Sequence, residues 1–274
     1  MSRSVSSAAR PPAAPVVAVL GLGEAGSEVA AGLVAAGAAV RGYDPRVAAP
    51  AGVAECSSDA DAARGADIVI ALTSAHEAIE TLRLALPGID GTAIYADLNT
   101  SSAGLKASLA ELAVEAEIGF ADVALMAPVP GLGLRTPMLV SGPAAERFAA
   151  GFGPLGATVT VLPGPPGTAA TRKLVRSVFY KGLAAAVTES LRAARAAGCE
   201  DWLREDIGEV LATASADTVD RLEQGSIRHA RRRVDEMAAA RDLLDELGVP
   251  PRIARASQQW LQQLLEDSAD QQRG

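Results

Sequence analysis

The sequence predicts an α/β protein, in which a Rossmann-type doubly wound parallel sheet is followed by an all-helical domain. Short apolar runs of strand length alternate with helical patterns through the first part of the chain, as in parallel sheets whose strands are joined by helices. A Gly-x-Gly-x-x-Gly turn at 21–26 directly follows the first of these runs. Beyond the turn-forming segment 163–167 we find no strand pattern. We therefore predict a sheet domain at 16–164 and a helical domain at 165–274.

The individual elements follow from the spacing of apolar residues along the chain. Strands are predicted at 16–20, 39–43, 67–72, 92–97, 118–123, 138–141 and 158–162. Helices are predicted at 24–36, 79–86, 105–114, 144–150 and 168–197, with at least three more as far as about residue 267. Residues 1–15 are rich in Ser, Ala, Arg and Pro and lack the apolar core of a secretion signal, so they are predicted to be a disordered tail.

The glycine turn is placed as a dinucleotide-binding loop should be, between a buried strand and a helix. Gly21 permits the tight turn, Gly23 lets a pyrophosphate approach the backbone, and Gly26 allows the helix to pack closely on the strand. The helix N-terminus then faces the phosphates. Leu22, Glu24 and Ala25 complete the predicted loop. A glycine-rich turn that binds nothing is the alternative, and it explains less of this arrangement.

An acidic residue ends the second predicted strand, where the adenosine ribose of a bound dinucleotide is expected. Asp44 follows Gly26 by 18 residues, and Tyr43 precedes it. A carboxylate here favours NAD because it repels the 2′-phosphate of NADP, although Arg46 could bind that phosphate. The predicted cofactor is therefore NAD or NADP, with NAD preferred.

Polar residues also follow two further strands, at the edge of the sheet where ligands of such folds bind. Thr73 and Ser74 follow the strand that ends at Leu72, and Asn99 follows the next strand. We predict that all four residues contact the cofactor. Helix capping is an equal alternative for Ser74 and for Ser101.

Composition excludes several classes of function. The formal net charge is −8, which disfavours nucleic-acid binding because that requires a basic surface. No apolar run approaches the length of a transmembrane helix. The two cysteines do not indicate a disulfide scaffold, and we identify no metal site. A soluble cytoplasmic protein with a small-molecule substrate is expected.

Lysine is rare in this chain, with 22 Arg against three Lys, at 106, 173 and 181. A retained lysine suggests a task that arginine cannot perform, such as losing its proton when desolvated. On a helix, Lys173, Ser177, Tyr180 and Lys181 fall within about 100° of one another and share one face. This cluster is the candidate for proton transfer. A solvated stripe on a surface helix is the alternative.

Three segments resemble the β-hydroxyacid dehydrogenase superfamily, which includes 3-hydroxyisobutyrate and 6-phosphogluconate dehydrogenases. They are Gly-Leu-Gly-Glu-Ala-Gly at 21–26, Asp-Val-Ala-Leu-Met-Ala-Pro at 122–128, and Gly167 followed by Lys173 and Ser177. The segment 176–182 is similar to an uncharacterised branch whose C-terminal helical domain is like that of 6-phosphogluconate dehydrogenase. The resemblance extends from about residue 16 to the end of the chain.

The resemblance implies a hydride transfer in which Lys173 is the general acid/base. Asn99 would contact the nicotinamide ribose or the substrate. Ser177 stands where the superfamily has Asn, and Tyr180 where the 6-phosphogluconate enzymes have a second acid/base Glu. Each is expected to support the reaction.

The substrate segment departs from the family pattern. Met126, Ala127 and Pro128 replace Ser-Gly-Gly, so 3-hydroxyisobutyrate itself is not the expected substrate. The residues predicted to line the substrate site, besides Asn99, are Leu125, Met126, Ala127, Lys181, His229 and Arg232. The basic residues among them suit an anionic substrate. For His229 and Arg232, an equal alternative is that they lie on an exposed helix with Arg–Glu pairs, such as one formed with Glu236.

The predicted function is thus an NAD(P)-dependent oxidoreductase for a small hydroxy acid or its keto form. Two alternatives remain, an imine reductase of the same architecture and a non-catalytic dinucleotide sensor. Because the helical domain has little core of its own, a homodimer is expected.

Overall fold

The computed structural model describes residues 14–271, so most of the predicted N-terminal tail lies outside the described residues. The predicted α/β class is confirmed. The strands are β1 Val16–Leu20, β2 Ala39–Tyr43, β3 Ala54–Glu55, β4 Ile68–Ala71, β5 Ile94–Asp97, β6 Gly119–Leu125, β7 Met138–Ser141 and β8 Val159–Val161. The helices are α1 Glu24–Ala35, α2 Asp59–Ala63, α3 Ala78–Ala85, α4 Ala103–Glu115, α5 Ala145–Phe152, α6 Thr168–Ala196, α7 Glu200–Ala212, α8 Ala216–Arg228, α9 Ala230–Glu246 and α10 Arg252–Gln271.

The strands form one sheet in the order β3-β2-β1-β4-β5-β6-β7-β8. Neighbouring strands are parallel except for β6 and β7, which are antiparallel. The order changes direction between β1 and β4, and ligands of doubly wound sheets bind beyond the carboxyl ends of the strands at such a point. This edge carries the glycine turn after β1 and the polar residues after β4 and β5.

Both faces of the sheet are buried, which explains the continuous apolar runs of its central strands. Val17 and Val19 of β1 point into one hydrophobic cluster, whereas Ala18 and Leu20 point into the other. α1 packs on the first face through its buried residues Val29, Ala30 and Leu33. The sheet therefore has the three-layer arrangement of a dinucleotide-binding fold.

Two elements were not predicted. β3 has two residues and α2 has five, and segments this short carry no periodic signal. The N-terminus of α2 is capped by Ser58, whose hydroxyl accepts a hydrogen bond from the Asp61 N–H at 3.1 Å.

The described residues divide into two compact units, one ending at Arg176 and the other beginning at Ser177. The division lies within α6, whereas the sequence predicts a boundary at 164. The second unit consists of the rest of α6 and of α7 to α10. Within residues 14–271, none of the helices is long and apolar enough to span a bilayer.

Candidate active site

Two glycines of the turn after β1 are required by the packing of the backbone. Gly21 has φ +92°, and a Cβ on it would lie 2.5 Å from the Leu72 carbonyl oxygen. A Cβ on Gly26 would lie only 1.9 Å from the Gly21 carbonyl oxygen. The loop, the end of β4 and the first turn of α1 are thus too close together for any side chain at these two positions.

Gly23 differs because no protein atom requires it to be glycine. Its φ is −60°, and a Cβ built on it would meet nothing within 4 Å. It is the N-cap residue of α1, and no side chain caps the helix there. The N-terminus of α1 and the open space at Gly23 together fit the close approach of a pyrophosphate to the backbone.

The carboxylate of Asp44 is held in place by three main-chain N–H groups. Its Oδ2 accepts from the Leu22 N–H at 2.9 Å, and its Oδ1 accepts from Arg46 at 2.8 Å and from Val47 at 3.1 Å. These bonds fix an anion beside the glycine loop, where the ribose hydroxyls of a dinucleotide are expected. The acid predicted from spacing thus lies beside the glycine loop, and its contact with a ribose stays a prediction.

One cleft brings together eight of the predicted cofactor residues. They are Gly21, Gly23, Tyr43, Asp44, Arg46, Leu72, Thr73 and Ser74. Sequence reasoning missed its other lining residues, which are Pro45, Asp59, Glu77, Glu80, Thr81 and Leu84. Burial raises the pKa of the Asp59 carboxyl, and the nearby Asp44 carboxylate adds to the rise. The single cation of this lining, Arg46, lies 3.6 Å from a Glu77 carboxylate oxygen.

The remaining predicted cofactor residues lie around the cleft rather than on its wall. Leu22 and Gly26 are buried, and Glu24 and Ala25 form the first turn of α1. Asn99 is also buried, and its Nδ2 donates to Asp97 Oδ1 at 2.6 Å and to Thr73 Oγ1 at 3.3 Å. The second of these bonds links Asn99 to the cleft.

Neither of the two serines with capping as an alternative is the N-cap residue of a helix. The N-cap residue of α3 is Glu77, and Ser74 Oγ accepts from the Glu77 N–H at 3.3 Å in the turn before that helix, in addition to lining the cleft. Ser101 does not cap a helix. The cap of α4 is Ser102, whose hydroxyl accepts from the Leu105 N–H at 3.2 Å, while Ser101 is buried.

The first turn of α6 is tied to the sheet by two buried side chains, Asp122 of β6 and Ser141 of β7. Asp122 Oδ2 accepts hydrogen bonds from the Gly167 N–H at 2.9 Å and from the Ala170 N–H at 3.1 Å. Ser141 Oγ accepts from the Ala169 N–H at 3.0 Å and donates to Asp122 Oδ2 at 3.1 Å. A buried carboxylate therefore caps α6, where it also complements the positive end of the helix dipole.

This anchor determines where Lys173 lies. On α6, Lys173 shares a face with Ala169, four residues earlier, and with Arg176, three residues later. Ala169 is buried against Ala124 of β6, and Arg176 Nη1 donates to the Met126 carbonyl oxygen at 2.9 Å. Both neighbours of Lys173 on this face therefore contact the end of β6 or the residue after it. The face of α6 that carries Lys173 is thus turned towards the end of β6.

The segment predicted to bind substrate leaves the sheet at the end of β6. Leu125 is buried opposite Met138, and the Met126 N–H donates to the Pro137 carbonyl oxygen at 2.8 Å. Both main-chain polar groups of Met126 are thus engaged by the protein. Ala127 is half-buried and Pro128 is exposed.

The other predicted catalytic and substrate residues belong to the second unit. Ser177 is half-buried, whereas Tyr180 and Lys181 are exposed on α6. His229 is the N-cap residue of α9, and Arg232 pairs with Glu236 at 2.9 Å on the same helix. The Arg232–Glu236 contact is typical of a solvated helix face, and a role in substrate binding for these two residues stays a prediction.

Comparison with known protein families accounts for most of the chain. Residues 16–148 match the family described as the NAD binding domain of 6-phosphogluconate dehydrogenase. Residues 194–264 match a domain of unknown function, DUF1932. The chain belongs to the β-hydroxyacid dehydrogenase superfamily. Its sheet domain is accordingly an NAD(P)-binding domain of the oxidoreductase type.

Solved structures with the same architecture cover nearly the whole of this superfamily member. A conserved hypothetical protein from Sinorhizobium meliloti 1021 is 28% identical, with 90% of this chain and 87% of that one covered and a TM-score of 0.59. The conserved protein MTH1747, of unknown function and described as structurally similar to 3-hydroxyacid dehydrogenases, is 27% identical, with 91% and 97% covered and a TM-score of 0.58. An imine reductase from Myxococcus stipitatus in complex with NADP+ is 19% identical, with 92% and 95% covered and a TM-score of 0.79, and it shares the fold. The comparison with curated proteins gives no match.

Proposed function

We propose that this superfamily member is an NAD(P)-dependent oxidoreductase that transfers hydride between nicotinamide and a small hydroxy acid or its keto form. Lys173 is the general acid/base. The observation that carries the proposal is the buried anchor of α6, in which Asp122 and Ser141 hold the turn preceding Lys173 against β6 and β7. A general acid/base must be held within hydrogen-bond reach of the group it serves, and this anchor supplies the required rigidity.

The protein's residues have distinct tasks in this reaction. When substrate is oxidised, the neutral amine of Lys173 accepts the hydroxyl proton as the carbonyl forms, and in reduction the ammonium returns a proton. The bound nicotinamide supplies the hydride acceptor or donor. Asn99 is oriented by Asp97 and Thr73 to contact the nicotinamide ribose or the substrate. Ser177 hydrogen-bonds the substrate and Tyr180 serves as a second acid.

The substrate in this proposal is anionic. Lys181 and Arg232 supply positive charge to it, His229 supplies a hydrogen-bond donor, and Leu125, Met126 and Ala127 form its apolar wall. Because Met126 uses its own main-chain groups within the protein, this wall offers few hydrogen bonds to a ligand.

A second candidate is imine reduction, and the substrate segment favours it. Met126, Ala127 and Pro128 carry no hydroxyl group, and Pro128 has no N–H, so the segment suits a substrate with little need for hydrogen bonds. The retained Lys173 favours the hydroxy acid instead, because a lysine provides the proton transfer that a hydroxyl group requires.

We also propose that NAD is preferred to NADP. Four carboxylates line the cofactor cleft, those of Asp44, Asp59, Glu77 and Glu80, and its one arginine is already close to one of them. A 2′-phosphate would add a dianion to this acidic surface, whereas the ribose hydroxyls of NAD can donate to Asp44.

Replacement of Lys173 tests the mechanism. In a panel of hydroxy acids, keto acids and imines, Lys173→Ala should lower kcat by about 10²- to 10⁴-fold with NADH binding unchanged. The matched control is Arg172→Ala, which removes a neighbouring exposed cation from the same helix and should keep its turnover.

Each other outcome identifies a different mechanism or function. Unchanged turnover of Lys173→Ala overturns the lysine mechanism. Turnover of imines alone identifies an imine reductase, and NADH binding without turnover of any compound by the unaltered protein identifies a sensor.

The homodimer is also part of the proposal. The buried apolar residues of the second unit are mostly alanines, together with Leu244 and Leu261. Large apolar side chains are instead exposed, including both tryptophans of the chain, Trp202 at 63% and Trp260 at 64%. An apolar groove on this unit is lined by Val178 and Phe179, among others. Exposed apolar surface of this extent is typical of an interface, and a second copy of the chain is the occupant we propose.

A further inference from the structure

Lys106 of α4 is a fully buried lysine to which the hydride-transfer proposal assigns no task. Its Nζ lies 2.7 Å from the Asp97 main-chain oxygen, 2.7 Å from Asp97 Oδ2 and 3.2 Å from Asp122 Oδ1. The first contact is a hydrogen bond, and the other two are close ion pairs. Two carboxylate oxygens and one main-chain oxygen thus surround the ammonium, and the main-chain oxygen accepts a hydrogen bond from it.

The two carboxylates are neighbours because of the register of the sheet. Asp97 ends β5 and lies opposite Asp122 of β6, so both side chains point to the same side of the sheet. Two buried carboxylates side by side repel each other, and burial by itself raises the pKa of Asp97 while the Lys106 ammonium opposes that rise. Lys106 is a cation within ion-pair distance of both carboxylates, and its charge offsets their repulsion in the interior.

The oxygens turned away from Lys106 carry the functional contacts. Asp97 Oδ1 accepts from Asn99 Nδ2 at 2.6 Å, and Asp122 Oδ2 accepts from the Gly167 and Ala170 N–H groups of the α6 anchor. Each carboxylate therefore binds Lys106 with one oxygen and orients a part of the candidate site with the other.

We propose that Lys106 is a positioning residue that sets the first turn of α6 relative to Asn99, and so sets Lys173 relative to the nicotinamide. Lys106 acts through Asp97 and Asp122 and touches neither substrate nor cofactor. The part of this inference that concerns Lys173 rests on the proposed function, whereas the part that concerns the α6 anchor does not.

The proposal also explains why this position is lysine in a chain with 22 Arg and three Lys. The planar guanidinium of arginine is larger and has five donors, which three oxygens cannot satisfy in a fully buried site. Lys106→Arg should therefore disrupt the contacts of Asp97 and Asp122 as removal of the lysine does, although the positive charge is kept.

Hydrogen–deuterium exchange of the full-length protein tests the anchor without any assay of activity. In Lys106→Met, amide exchange in residues 167–170 should become at least about 10-fold faster, because Asp122 loses the cation that holds it. Ser141→Ala removes one acceptor from the same anchor without removing a charge, and should speed exchange there by about 2- to 10-fold. If Lys106→Met does not fold, Ser141→Ala still tests the anchor.

A matched control comes from the other end of α6. Glu189 accepts hydrogen bonds from the Ile253 and Ala254 N–H groups and so caps α10 with a carboxylate in the second unit. Glu189→Gln should speed exchange at 253–254 and leave 167–170 unchanged. Exchange in 167–170 that is unchanged in Lys106→Met or in Ser141→Ala overturns the proposal.

Kinetics test the link to Lys173. Lys106→Met should lower kcat by about 100-fold with the Kd of NADH within about threefold of the unaltered protein, since Lys106, Asp97 and Asp122 do not line the cofactor cleft. In a Lys173→Ala background, Lys106→Met should lower kcat by less than about threefold. The reason is that displacement of α6 cannot misplace a lysine that has already been removed.

The kinetic outcomes separate the two hypotheses. Additive losses in the double variant show that Lys106 does not act through Lys173 and overturn that part of the inference. If Lys173→Ala alone keeps full turnover, the proposed function fails, and the exchange data still decide whether Lys106 holds α6.

Discussion

The Asp44 carboxylate accepts a hydrogen bond from the Leu22 N–H at 2.9 Å, so the end of β2 and the glycine loop are held together. Two further N–H groups, from Arg46 and Val47, bind its other oxygen. The anion proposed to receive the ribose hydroxyls is thus oriented by the protein itself. Such preorganisation lowers the entropic cost of binding.

Asp44→Ala should therefore weaken NADH binding by about 10- to 100-fold, as expected for the loss of charge-assisted hydrogen bonds. The affinity for NADPH should change less, because the substitution also removes the carboxylate that repels the 2′-phosphate. The ratio of NADH affinity to NADPH affinity should therefore fall. Fluorescence titration with both nucleotides measures this. Glu80→Gln, which removes another carboxylate from the same cleft, is the control and should change NADH affinity by less than about threefold.

Gly23 and Gly26 should respond to the same substitution in opposite ways. Gly26→Ala forces a methyl group to within 1.9 Å of the Gly21 carbonyl oxygen, so it should destabilise the fold by about 3 kcal/mol. Gly23→Ala meets no protein atom and should cost less than about 1 kcal/mol, yet weaken NADH binding by at least about 10-fold because the methyl group occupies the pyrophosphate position. Thermal unfolding and nucleotide titration distinguish the two effects.

Gly208→Ala is the control for this pair. It lies within α7, where a Cβ meets nothing within 4 Å, and alanine there should stabilise the helix by about 0.5–1 kcal/mol. If Gly23→Ala retained full NADH affinity, the pyrophosphate could not lie at this turn.

Much of the fold could be predicted from the sequence because local patterns determine it. The strands around the glycine turn, β1 and β2, coincide with their predicted ranges, and α6 ends one residue earlier than predicted. The turn, Asp44 and Thr73 could be assigned to one cleft because strand order alone places the ends of β1, β2 and β4 side by side.

The buried network could not be predicted, because it depends on which residues of separate strands become neighbours. Asp97 and Asp122 are 25 residues apart in the chain, and only the register of β5 against β6 places them opposite each other. The rarity of lysine was a signal for Lys106. From the sequence alone it suggests proton loss at Lys173, whereas at Lys106 we infer that a compact ammonium is needed between three oxygens.

Acid should weaken an ion-pair network of the second unit. The Glu200 carboxylate receives two hydrogen bonds of 2.7 Å from Arg195 and one of 2.9 Å from Arg204, which lower the pKa of Glu200 from its usual 4.5 to about 2. Because the pKa in the folded state is depressed, this stabilisation is present above pH 4.5 and is lost as the pH falls towards 2.

Glu200→Gln should consequently lower Tm slightly at pH 7, and the difference from the unaltered protein should disappear as the pH approaches 2. Thermal unfolding monitored by circular dichroism across this range measures it. Glu205→Gln replaces an exposed carboxylate on the same helix and should show no such convergence. A Tm difference that stayed constant down to pH 2 would contradict the assignment of the low pKa to these arginines.

The exposed apolar residues of the second unit predict that the protein is a dimer in solution. Multi-angle light scattering should give a mass near twice 27.9 kDa. Val178→Asp places a charge in the groove that Val178 lines with Trp260, at a side chain that is 76% exposed, so it should leave each chain folded but favour the monomer. Val114→Ser, which alters a 68% exposed apolar residue on α4 of the first unit, should leave the mass unchanged. A monomer in the unaltered protein at micromolar concentration would refute the dimer, and a dimer that persists in Val178→Asp would place the interface elsewhere on the molecule.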